Sequence, residues 1–125
     1  MPTKRILIIE DEESVRLLLK LYLMRHHFTL MEAKNGLEGL GVARQFIPDL
    51  VITDLNMPVM DGIAFVKSAR ADEKLKNVPV VVVTGTAGEC QQRANDAGAT
   101  AVLQKPISRR DLLNIIELIF SKGKT

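Results

Sequence analysis

Short, wholly apolar runs alternate along this chain with longer stretches of helical period. Ile6-Leu7-Ile8-Ile9, Phe28 to Ala33, Leu50-Val51-Ile52, Val80-Val81-Val82-Val83 after Pro79, and Ala101-Val102-Leu103-Gln104 are the strand-like runs. A continuous β-branched run, rather than an alternating one, marks a strand buried on both faces. Between them, Ser14 to His26 places Val15, Leu18, Leu19, Tyr22 and Leu23 on one helical face, expected to cover the sheet. Leu37 to Ile47, Ile63 to Leu75 and Glu89 to Ala97 follow the same period, with Pro48 stopping one helix and Gly98 just past the end of another. The last helix opens at Ser108 as N-cap, has Asp111 in its first turn, and buries Leu112, Ile115, Ile116 and Ile119. Gly39 and Gly41 each cost about 1 kcal/mol relative to alanine, so the second helix is expected to be the weakest. Strands alternating with helices through short connections predict a doubly wound α/β fold, a mostly parallel sheet with helices on both faces.

Composition changes this picture little. A chain of 125 residues with 46% hydrophobic and 26% charged residues fits one soluble domain. No apolar run approaches the ~20 residues that cross a bilayer, and Met1 to Arg5 leads straight into a strand-like run, so neither a membrane anchor nor a signal peptide is expected. Cys90 is the only cysteine, which excludes an internal disulfide and fits a cytoplasmic location. A net charge of +2, dispersed and with few aromatic residues, does not point to nucleic acid.

In an open parallel sheet, ligands bind at the carboxyl ends of the strands. The residues that follow each apolar run are therefore comparable: Glu10 and Asp11 after the first strand, Asp54 after the third, Thr84 after the fourth, Lys105 after the fifth. Taken singly, each has a bland reading: a turn or capping Asp54, a surface Lys105, a structural Thr84, solvated acids. Together they fall on one sheet edge. Like-charged carboxylates about 4 Å apart repel by roughly 4 kcal/mol at an effective dielectric near 20. A divalent cation would relieve that repulsion, and an all-oxygen donor set suits magnesium. A cation beside a nucleophilic Asp54, a hydroxyl and a lysine is equipment for phosphoryl transfer, with Asp54 becoming an acyl phosphate. His26 and His27 are expected in an exposed loop on the opposite edge, away from the acids.

The segments I-L-I-I-E-D-E, T-D-L-N-M-P-V-M-D-G, V-V-V-V-T-G and K-P, in that order, resemble the receiver domain of bacterial response regulators. The likeness runs from about Lys4 to Ser121, as one domain with residues 122–125 as a tail. It implies a flavodoxin-like sheet of order 2-1-3-4-5. It implies Asp54 as phosphoacceptor, Glu10, Asp11, Asp54 and the Asn56 backbone carbonyl as magnesium ligands, and Thr84 and Lys105 as phosphoryl contacts. It further implies a cis bond between Lys105 and Pro106, a histidine kinase or phosphotransfer protein as donor, and a monomer that turns over no diffusible substrate. Three positions depart from the family pattern. Glu10 replaces the commoner Asp, and Gly85 stands where alanine is usual. Val102 occupies the place of an aromatic ring that swings inward in relatives, and valine has no ring to swing.

Two other functions compete with this one. A phosphorylation-independent binding module would keep the fold but needs none of the acids. An aspartyl phosphohydrolase usually has a second acid two residues after its nucleophile, where this chain has Asn56. Leu17, Leu21 and Met24 fall opposite the sheet-facing side of the first helix, at spacings of four and three. Flanked by Arg16, Lys20 and Arg25, they form a candidate docking stripe, and kinase and phosphotransfer helices dock on this helix in the family. Cys90, with Ala94 and Ala97, is expected to pack on the sheet rather than react.

Overall fold

Every apolar run forms a strand and every periodic stretch a helix in the computed structural model, which describes residues 3–85 and 88–122. In chain order these are β1 (Lys4–Ile9), α1 (Glu13–Leu23), β2 (Phe28–Ala33), α2 (Gly36–Phe46) and β3 (Leu50–Asp54), then α3 (Gly62–Arg70), β4 (Val80–Thr84), α4 (Glu89–Ala97), β5 (Ala101–Gln104) and α5 (Arg109–Lys122). The sheet order is β2-β1-β3-β4-β5, with every pair parallel. The expectations for Met1, Pro2, Thr86, Ala87 and residues 123–125 lie outside the described residues. Lys122, expected in the tail, ends α5.

Alternate residues of the buried strands face opposite layers. Leu7, Ile9, Val51, Val80 and Val82 pack with Leu40, Ala43, Phe65, Val66, Ala69 and Ala94 of α2, α3 and α4. Ile6, Ile8, Leu50, Ile52, Val81 and Val83 pack with Leu19 and Leu23 of α1 and Leu112 and Ile116 of α5. Both faces are dry, which is why these strands read as unbroken apolar runs. Cys90 packs against the first of these clusters, as does Val102. His26 and His27 are exposed.

Two helices end several residues earlier than their periodicity predicts. The third stops at Arg70 rather than Leu75, because Asp72 organises a turn in which its side chain accepts the Lys74 N–H at 2.8 Å and its carbonyl the Leu75 N–H at 3.1 Å. Leu75 is nevertheless buried, so its apolar character reflects the core and not the helix. Arg70 fastens this segment, donating to the carbonyls of Gly98 (2.9 Å) and Val78 (2.8 Å). The first helix stops at Leu23 rather than His26, and the His26 N–H closes a turn onto the Leu23 carbonyl at 3.0 Å. Leu18, expected on the sheet, is 44% exposed. Leu19 and Leu23 take the sheet-facing position, which rotates Leu18 into a cleft beside Lys105, Pro106 and Ile107.

The glycines of α2 differ in kind. A Cβ on Gly39 would strike the Ile9 side chain, 2.8 Å from Cγ1, whereas one on Gly41 meets nothing within 4 Å. Gly39 thus lets α2 approach β1, and Gly41 only weakens the helix. Gly41→Ala is expected to stabilise by about 1 kcal/mol and Gly39→Ala to destabilise by about 1–2 kcal/mol, read from urea unfolding. Equal effects would mean that α2 does not rest on β1 through Gly39.

Candidate functional site

The parallel register brings the carboxyl ends of β1, β3, β4 and β5 to one edge. Asp54 is the last residue of β3, beside Val83, and Thr84 ends β4 beside Gln104. Glu10, one residue past β1, is almost wholly buried. Its N–H donates to the Ala33 carbonyl at 3.1 Å, and its Oε1 accepts the Glu12 N–H at 3.1 Å. Asp11 is exposed and Asp54 buried, and each of Glu10, Asp11 and Asp54 offers a carboxylate oxygen within 4.8 Å of the other two. Lys105 Nζ reaches across the edge to Asp54 Oδ1 at 3.0 Å and Glu10 Oε2 at 3.5 Å. The Lys105 N–H donates to the Thr84 carbonyl at 2.8 Å, and the Lys105–Pro106 peptide is cis. Thr84 is buried, and Asn56 lies exposed in the bend beyond Asp54. The structure brings Glu10, Asp11, Asp54 and Lys105 together, and it places Thr84 at the adjoining strand end and Asn56 in the bend beyond.

Burial dominates the electrostatics. Glu10 is pushed up to about 7 by desolvation, opposed by the Glu12 backbone hydrogen bond and reinforced by the charge of Asp54. Desolvation also raises Asp54, against the hydrogen bond and charge of Lys105. For Lys105, burial pulls the ammonium down, but its hydrogen bond to Asp54 and the charges of Asp54 and Glu10 outweigh that and raise it. One lysine thus stands among three carboxyl groups, and two of these are raised chiefly by burial.

The loop that carries Asp54 forward is held by contacts invisible in the one-dimensional pattern. Asp61 caps α3, accepting the Ala64 N–H at 2.8 Å. Gly62 is the first residue of that helix, and its N–H donates to the Leu55 carbonyl at 2.8 Å. A Cβ there would collide with the Asp54 carbonyl oxygen and sit 3.0 Å from Leu55 Cα. Gly36, opening α2, donates to the Met60 carbonyl at 3.0 Å, and a Cβ on it would lie 2.5 Å from that oxygen. Val59 adopts φ 69° while the Met60 N–H donates to the Pro58 carbonyl at 2.7 Å, a tight γ-turn that is strained for a β-branched residue. Asp61-Gly62 is a turn-forming dipeptide in the sequence itself. The requirement for two glycines where helix ends press on the loop is not readable there.

Comparison with known proteins agrees with the fold. Residues 6–117 match the response regulator receiver domain family. The chain is 33% identical to the polar-differentiation response regulator DivK of Brucella ovis over 108 residues, 85% of this chain and 87% of that protein. It is 34% identical over 115 residues, 90% of this chain, to the sensor histidine kinase CheAY of Helicobacter pylori, but spans only 14% of the length of that protein. Among solved structures, the Vibrio cholerae chemotaxis protein CheY4 superposes with a TM-score of 0.88 at 31% identity, covering 94% of this chain and 99% of that one. The chain belongs to the response regulator receiver domain family, the signalling domains of two-component systems. Among the described residues no helix is long and apolar enough to cross a membrane.

Proposed function

We propose that residues 4–121 form one receiver unit in which Asp54 accepts a phosphoryl group from a phosphohistidine in a magnesium-dependent reaction. The observation that carries this reading is a buried carboxylate at a strand end, 3.0 Å from one lysine and clustered with two further acids. The cluster offers only hard oxygen donors, one of them solvent-facing, which fits magnesium with part of its water shell retained. Glu10, Asp11, Asp54 and the Asn56 carbonyl would hold the ion, which when bound would supply the positive charge that the acids and an incoming phosphoryl group require.

A carboxylate oxygen of Asp54 attacks phosphorus while the P–N bond of the donor breaks, and the electron pair of that bond returns to the imidazole. Lys105, already directed at Asp54, follows the negative charge onto the phosphoryl oxygens, and the Thr84 hydroxyl at the adjacent strand end donates to another. Behind Asp54, the chain is tied by the Gly62 N–H, which donates to the Leu55 carbonyl at 2.8 Å. Incubation with acetyl phosphate and magnesium is expected to add one phosphoryl group per chain, and none in the presence of a chelator. Equal labelling with and without the chelator would overturn the reading.

The donor protein is proposed to dock on α1. Leu17, Leu21 and Met24 are 52%, 51% and 64% exposed along one face. Leu18 extends this apolar surface toward the Lys105 edge of the site. Leu17→Ser with Leu21→Ser is expected to leave folding and acetyl phosphate labelling intact and to slow transfer from a protein donor at least tenfold. Transfer at the wild-type rate would place the docking face elsewhere.

A further inference from the structure

The acidic pair lies on a three-residue passage from β1 to α1, and the usual device for fixing a helix start is missing there. Glu12, at the N-cap position of α1, makes no side-chain capping hydrogen bond. Among the bonds that tie the segment instead, the Glu10 N–H donates to the Ala33 carbonyl, the Glu12 N–H donates to Glu10 Oε1, and the Glu12 carbonyl accepts the Arg16 N–H at 3.0 Å. Arg16, in the second turn of α1, adds one more through its side chain, whose Nη1 donates to the Glu10 carbonyl at 2.8 Å.

Arg16 is itself held. Its Nε donates to Glu32 Oε1 at 2.9 Å, and the other carboxylate oxygen of Glu32 accepts from Lys20 Nζ, also at 2.9 Å. The Arg16 side chain is only 12% exposed. The hydrogen bonds of Lys20 and Arg16 lower the proton affinity of Glu32, with the Lys20 bond the larger effect, so the brace stays ionised at neutral pH. A planar guanidinium that bridges a carboxylate and a backbone carbonyl fixes the distance between them, which a flexible ammonium cannot do. Here the bridge joins edge strand β2, helix α1 and the peptide that carries the Glu10 carboxylate.

We propose that Arg16 is a positioning residue for the acidic pair: braced by Glu32, it holds the Glu10–Asp11 peptide so that both carboxylates face Asp54 in a geometry ready for a divalent cation. Arg16 donates to the backbone of Glu10 and not to its carboxylate, so its effect is on geometry. Partners that orient metal ligands from outside the coordination shell typically change metal affinity 10- to 100-fold. The inference rests on the magnesium site proposed above, and the test separates the two.

Magnesium affinity of the full chain is measured by isothermal titration for the wild type, Arg16→Met, Arg16→Lys and Glu32→Gln, with urea unfolding of each in chelator. Arg16→Met is expected to weaken magnesium binding about tenfold. Its labelling by acetyl phosphate should be slow at low magnesium and return to the wild-type rate at saturation. Arg16→Lys is expected to recover part of the affinity, and Glu32→Gln to lose two- to threefold without altering any residue at the site. A merely structural role would shift the unfolding midpoint and leave the dissociation constant unchanged. Wild-type affinity in both Glu32→Gln and a folded Arg16 variant overturns the inference, and if Arg16→Met does not fold, Arg16→Lys and Glu32→Gln decide. A wild-type chain that binds no magnesium would instead sink the proposed function.

Discussion

Gly62→Ala is expected to destabilise the protein by about 3 kcal/mol and to impair the site in the same step. The added methyl has nowhere to go. It would meet the Asp54 carbonyl oxygen and the Leu55 Cα, both backbone atoms of the strand end and the loop behind it. A flexible side chain could rotate away, but a strand end hydrogen-bonded on to Val83 through the Leu55 N–H cannot. Overpacking of a rigid neighbour typically costs about 1–3 kcal/mol, and the upper end applies where backbone must move. Displacement of the Asp54 peptide also alters the 3.0 Å pairing with Lys105. Acetyl phosphate labelling should therefore fall even at temperatures where the variant remains folded. The Gly41→Ala protein, whose methyl projects into open space, is the matched control. A Gly62→Ala protein as stable as the wild type would mean that α3 does not abut β3 as described.

The second large effect is a dependence of stability on pH whose sign is set by Glu10. Its carboxyl titrates near 4.5 when unfolded and at about 7 when folded. Between those values the folded state binds more protons than the unfolded one, so stability falls as pH rises through the window. Asp54 is raised as well and adds in the same direction. Glu32 and Asp72 are lowered, so their contributions are lost only at more acid pH. Lys105, with its raised value, stays charged and paired throughout the window. In chelator, the protein is expected to gain on the order of 2 kcal/mol between pH 8 and pH 5. Saturating magnesium should flatten or reverse that trend, because the ion requires the ionised acids and stabilises only the state that binds it. Glu10→Gln should remove most of the slope. Urea unfolding at a series of pH values measures all three, and a metal-free stability that declines from pH 8 to pH 5 would contradict the assignment.

The edge of the sheet was legible in the sequence because strand ends are. Ile9, Ile52, Val83 and Leu103 belong to unbroken apolar runs, so the polar residues beyond them had to emerge together once the strands were parallel. Glu10, Asp54, Thr84 and Lys105 could be placed on one edge without coordinates. Tertiary detail was not legible. Periodicity put Leu18 on the same side as Leu19, but a helix that packs through Leu19 and Leu23 has a narrower buried stripe, and Leu18 faces a cleft instead. Leu75 extended the apolar period of α3 across a turn that only the side chain of Asp72 reveals. Arg16 read as a flank of the candidate docking stripe on α1, because nothing local shows that Glu32 on a neighbouring strand and the Glu10 carbonyl lie within its reach. Gly36 and Gly62 stand in the turn-forming dipeptides Asn35-Gly36 and Asp61-Gly62. Their second function, admitting backbone to within contact of backbone, depends on Met60, 24 residues beyond Gly36, and on the Asp54 strand end folded back against Gly62.

If Asp54 is the phosphoacceptor, as proposed, labelling with acetyl phosphate and magnesium must modify that residue and fail in Asp54→Asn. Intact-mass spectrometry of the wild type should show one hydroxylamine-labile phosphoryl group, and reductive trapping, which expels the phosphate, should leave homoserine at position 54. Neither should form on the Asp54→Asn protein. A trapped site elsewhere, or a phosphoryl group that persists in that variant, would show that Asp54 is not the acceptor.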